Sequence, residues 1–118
     1  MSVPKIPATR APDWLENPEI FHGEWQGGAH GAGICVIVNH IERVGAGPRL
    51  HLHPYAETFV VRTGHARFTV GDATIEARDG DILVAPAGTP HKFENLGPGP
   101  LQTIDIHENG EFITNWLE

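Results

Sequence analysis

The chain has 118 residues, enough for one domain with one core and too few for two. Apolar residues make up 40% and charged residues 19%, a balance that excludes a disordered chain, and no apolar run approaches the ~18 residues of a membrane span. Eight basic against fifteen acidic side chains leave a net charge of −7 with no basic cluster, so neither nucleic acid nor a membrane is an expected partner.

The first residues lack the apolar run of a signal peptide, which makes the cytoplasm the expected location. Residues 1–32 open with Pro4, Pro7, Pro12 and Pro18, show no sustained period, and read as an extended N-terminal arm that exchanges with a second subunit. Residues 33–118 read as one all-β barrel. Ile34 to Val44 is dense in β-branched residues, and its Cys35, the single cysteine, excludes an internal disulfide and reads as a small buried hydrophobe. A short extended piece, Arg49 to His53, ends at Pro54. Glu57 to Arg62 and His65 to Val70 flank Thr63-Gly64, which suits a tight hairpin. Ala73 to Ala77, Asp81 to Ala85, Pro90 to Asn95 and Leu101 to His107 follow, and Glu111 to Glu118 is open between a last strand and a short helix. About eight strands with no helical pattern between them predict an antiparallel sandwich or barrel.

His51 and His53 are two apart, so on a strand both rings leave one face with Cα atoms about 6.6 Å apart, close enough to converge on one ion. Pro54 favours a bend, after which Glu57 opens the next strand, where an antiparallel neighbour can bring a carboxylate beside the rings. His91, behind the Pro86-Ala87-Gly88-Thr89-Pro90 turn, is the candidate fourth ligand. Three imidazoles and a carboxylate without sulfur suit Fe, Mn, Ni, Co, Cu or Zn as a divalent ion.

These residues carry a family resemblance. Gly45, His51, His53, Glu57 and Gly64 match, without a mismatch, the first motif of the cupins, and Gly80, Pro86, Gly88, His91 and Asn95 match the second. Composition alone would place the first motif in about one such chain in two thousand. The chain therefore resembles a small single-domain cupin. That resemblance implies a double-stranded β-helix, or jelly-roll, barrel with one divalent transition metal per subunit on His51, His53, Glu57 and His91. It also implies a homodimer.

Gly64, Gly80 and Gly88 read as turn residues, with Gly45, Pro86 and Asn95 also architectural and the Asn95 amide free to bond a loop. Inside such a lumen, strand parity makes Phe59, Val61 and Phe93 apolar walls. Arg49 shares parity with His51 and His53, which leaves it between an anion-binding role and a surface place at a strand start. His40 and His107 are open between acid–base partners and structural residues, and Tyr55 edges the site from the bend. Trp14, Trp25 and Trp116 read as core or dimer-interface packing. The resemblance implies a metal-dependent enzyme acting on a small oxygenated molecule, as a dioxygenase-like oxidoreductase or as an isomerase, decarboxylase or cyclase. The alternative is a non-catalytic module that binds or senses a small ligand around a structural metal.

Overall fold

Buried side chains alternate with more exposed ones along Glu57–Val61, His91–Asn95 and Leu101–His107, the signature of a sheet with one face on a core. The structure, a computed structural model, describes residues 8–17 and 19–118. A single helical turn, α1 (Ala11–Trp14), precedes β1 (Leu15–Asn17) and β2 (Ile20–Gln26). After a 3₁₀ turn come β3 (Cys35–Ile41), β4 (His51–Leu52), β5 (Glu57–Thr63), β6 (His65–Val70), β7 (Ala73–Arg78), β8 (Ile82–Ala85), β9 (His91–Asn95), β10 (Leu101–His107) and β11 (Asn115–Trp116). One sheet runs β1-β2-β3-β10-β5-β8 and the other β11-β4-β9-β6-β7, with antiparallel neighbours throughout. The two sheets form a jelly-roll barrel, the expected fold class. Among the described residues, no helix is long and apolar enough to cross a membrane.

Three features depart from the sequence reading. The strand system begins at Leu15, before residue 33, because β2 pairs with β3 from Gly23 opposite Val38 to Gln26 opposite Cys35. Pro4, Pro7 and Pro18 of the expected arm lie outside the described residues. Thr63-Gly64 is not a hairpin, since β5 pairs with β10 and β8 while β6 pairs with β7 and β9. The chain crosses between sheets there. Gly64 has φ +112°, and a Cβ on it would lie 2.7 Å from the Pro100 carbonyl oxygen, so the corner requires glycine. A hairpin does form at Gly71-Asp72, where Val70 opposes Ala73. The undecided tail supplies β11, which pairs with β4.

The barrel is chemically polarised along its length. Phe59, Val61, Ala66, Phe68, Ala77, Ala85, Phe93 and Leu101 form the apolar core. The inward positions of β10 then run from Leu101 through Thr103 and Asp105 to His107, all buried, so the opposite end is lined with groups that titrate. Cys35 is fully buried. Asn95 ties the loops at the apolar end, its amide donating to the carbonyls of Ile41 and Gly99 at 3.1 Å while its oxygen accepts the Gly97 N–H at 2.8 Å. A fully buried amide with such a set of partners fixes the loops that close this end of the barrel.

Candidate metal centre

His51, His53, Glu57 and His91 are all buried and offer ligand atoms within 4.8 Å of one another. The two sheets share the work. His51 on β4 stands directly opposite His91 on β9, and His53 follows β4. Glu57 comes from β5 in the facing sheet, so the carboxylate arrives across the barrel and not from a neighbouring strand. The Pro86–Pro90 turn is tied to the ligand segment by Gly88, whose N–H donates to the His53 carbonyl at 2.8 Å.

The hydrogen bonds decide which nitrogen faces inward. Nδ1 of His51 lies 2.6 Å from the Arg49 carbonyl, Nδ1 of His53 2.9 Å from that of Ile113, and Nδ1 of His91 2.8 Å from that of Thr89. A carbonyl only accepts, so each Nδ1 carries the proton, and in the neutral ring Nε2 is left as a lone pair. Nε2 of His53 and Nε2 of His91 are each 3.0 Å from Glu57 Oε1, a meeting of lone pairs and carboxylate that a proton or a cation must reconcile. His53 Nε2 is buried without a hydrogen-bond partner. A divalent ion fits this donor set, and the backbone carbonyls hold the rings as partners of metal-bound histidines do.

The electrostatics follow the same geometry. Burial pushes Glu57 upward, but His107, His53 and His91 together hold its carboxyl far below the ordinary range. Burial lowers His51, with the neighbouring imidazoles adding to the shift. Burial also pulls on His53, yet the Glu57 carboxylate and the Ile113 carbonyl outweigh it and leave that ring raised.

The other candidates divide. His107 Nε2 lies 3.1 Å from Glu57 Oε2, poorly aligned for a hydrogen bond, and its Nδ1 is 2.7 Å from the Tyr55 hydroxyl, which also accepts the Ile113 N–H at 3.3 Å. Tyr55 stacks on His53 with centroids 5.0 Å apart. Phe59 and Phe93 line a cavity of about 450 Å³ in front of the cluster. Val61 does not: it is fully buried in the apolar core one inward position further from the site. Arg49 is exposed and does not line the cavity; it precedes β4, and its guanidinium lies 5.4 Å from the Trp116 ring centre. His40 falls on the opposite parity of β3 from Asn39, and its Nδ1 accepts from Gln102 outside the barrel at 2.9 Å.

Trp14 and Trp25 pack beside His30, Trp25 stacking on that ring at 5.1 Å. Trp116 is 55% exposed and sits at the cavity mouth, its ring 4.9 Å from that of His51, and is therefore a wall of the site and not core packing. Sequence reasoning also missed Asp105 and Asn39, which line the cavity. The signal was available. Asp105 has the parity of His107 in the otherwise apolar run LQTIDIH.

Residues 41–107 match the cupin domain family, and the chain belongs to it. The uncharacterized protein MJ1618 of Methanocaldococcus jannaschii is 31% identical over 91 residues, covering 76% of this chain and 66% of that one. The mannose-1-phosphate guanylyltransferase RfbM of Salmonella typhimurium is 33% identical over 79 residues, 67% of this chain but 16% of its own length. Among solved structures, an oxalate decarboxylase of Bacillus subtilis with Mn(II) centres superposes with a TM-score of 0.72 at 25% identity, over 80% of this chain and 27% of that one. A Klebsiella pneumoniae protein with a double-stranded β-helix domain gives a TM-score of 0.65 at 27% identity, over 71% of this chain and 70% of its own.

Proposed function

We propose that this cupin binds one divalent transition metal per chain through Nε2 of His51, His53 and His91 and Oε1 of Glu57, and acts as an enzyme on a small oxygenated molecule. The observation that carries the reading is the outward pinning of all three Nδ1 atoms, which leaves three inward lone pairs beside one buried carboxylate. The Mn(II) centres of the oxalate decarboxylase support it by likeness. Such an ion supplies Lewis acidity, or redox chemistry with dioxygen if it is iron, nickel or copper. The protein's own residues then bind and orient. Phe59, Phe93 and Phe112 exclude water, Trp116 covers the mouth, and His107 sits against Glu57 Oε2 while Oε1 faces the rings. The dioxygenase-like and the isomerase, decarboxylase or cyclase chemistries both fit this frame. A ligand-sensing module is the second reading, favoured by the cavity itself.

We also propose that the chain works as a cytoplasmic homodimer in which residues 1–32 exchange, so that the β2–β3 pairing seen here within one chain forms between copies instead. Ile82 and Val84, 65% and 52% exposed on the edge strand β8, support a second copy. The decisive experiment for the site is metal analysis with calorimetric titration of Co(II) or Zn(II). The wild type should take up about one ion per chain, and His51→Ala or His91→Ala should abolish stoichiometric binding. Affinity should also collapse below about pH 6, where imidazoles take up protons that compete with the ion. Full retention in both variants refutes the assignment.

A further inference from the structure

The cavity has a second polar feature that the metal cluster does not use. Asp105 is 3% exposed and lines the cavity between the Phe59 and Ile37 positions of its two neighbouring strands. Its Oδ2 accepts the Asn39 amide at 2.9 Å, and the same amide donates to Thr103 Oγ1 at 3.1 Å. Its Oδ1 is buried with no partner in the protein. A carboxyl braced on one oxygen and unpartnered on the other is costly unless something supplies the missing hydrogen bond. Burial, reinforced by the nearby Glu57 carboxylate, raises its pKa well above the ordinary range, against the pull of Thr103 and Asn39.

The position specifies the size of what is bound. Along β10, Asp105 is two residues, about 6.6 Å between Cα atoms, from His107, which pairs with Glu57, so it stands one inward step from the cluster. A molecule with one oxygen at the cluster and another at Asp105 needs a chain of about four carbons at most. The lining specifies its charge. Glu24, Glu57 and Asp105 are acidic, and among the described residues no lysine or arginine lines the cavity. A second carboxylate on the ligand would therefore lie beside the Glu24 and Glu57 carboxylates with no lysine or arginine to offset them. A hydroxyl can donate to Oδ1 or accept from it, and suits either protonation state.

We propose that Asp105, braced by Asn39, is the ligand-recognition group of this cavity, and that the ligand is a small uncharged hydroxylated molecule such as a hydroxyketone or short polyol, not a dicarboxylate. This inference rests on the metal assignment above, which supplies the first anchor. It separates the chain from its oxalate-decarboxylating neighbours in ligand class while leaving the barrel and the cluster in common.

The test follows the visible spectrum of Co(II)-loaded protein titrated with dihydroxyacetone and, separately, with oxalate. In the wild type dihydroxyacetone should perturb the cobalt bands saturably and more tightly than oxalate. Asp105→Ala should weaken dihydroxyacetone about tenfold while leaving Co(II) affinity within about twofold. Asp105→Asn, which keeps an acceptor for Asn39, should weaken it about threefold and carries the test if the alanine variant does not fold. Unchanged dihydroxyacetone binding in the folded variants, tighter binding of oxalate, or no response to dihydroxyacetone up to its solubility overturns the inference with the metal site intact. Failure of the wild type to take up Co(II) overturns both.

Discussion

His51 and His91 each turn Nδ1 toward the carbonyl two residues before them, and His53 turns its own toward Ile113, sixty residues downstream. The inward lone pairs are a consequence of these backbone carbonyls, each of which takes up an Nδ1–H. Tyr55 extends the same logic, joining His107 to the Ile113 N–H and so fixing the ring that lies 3.1 Å from the far oxygen of Glu57. Asp105 makes the opposite contribution to stability. Its folded pKa lies above the ~3.9 of the unfolded chain, so the native state holds the proton longer and the metal-free protein loses stability as pH rises from about 4 toward that folded value. Asp105→Asn removes this loss. Urea midpoints of metal-free protein should show the variant gaining on the wild type between pH 4.5 and 8, and a difference that stays constant with pH contradicts the buried acid.

Strands in this barrel are punctuated by glycines whose geometry the chain depends on, and Gly64 is the clearest. At φ +112°, with the Pro100 carbonyl oxygen 2.7 Å from any Cβ, Gly64→Ala must move the β5–β6 corner. Its expected cost is about 1–3 kcal/mol in chemical denaturation, and a variant as stable as the wild type would show that the corner can relax. The corner matters for the site because it sends β5 to one sheet and β6 to the other. The short strand β11 has a comparable role, since its pairing with β4 carries Trp116 to the cavity mouth beside His51.

The assembled barrel places an apolar plug at one end and a titratable cavity at the other, an arrangement that lets a small domain keep both a core and a site. Its two exposed apolar side chains on β8 bear on assembly. Light scattering at micromolar concentration should give about twice the 12.9 kDa chain mass, and a mass near 12.9 kDa itself rules out the proposed homodimer.

Much of this was legible in the residues alone. Short β-rich runs between turns marked nearly every element from β3 to β10, and the spacing of His51, His53, Glu57 and His91 singled out a ligand set, because period-two geometry makes spacing along a strand equivalent to facing. Pairing was not legible. A glycine between two strands signals a break but not which sheet the next strand joins, so Gly64 read as a hairpin. Asp105 and Asn39 were likewise passed over, and Trp116 read as core or interface packing, since the cavity they line is built from strands far apart in the chain. Local chemistry is written in neighbours along the backbone, whereas enclosure, and hence burial, charge balance and ligand shape, exists only once the two sheets close on each other.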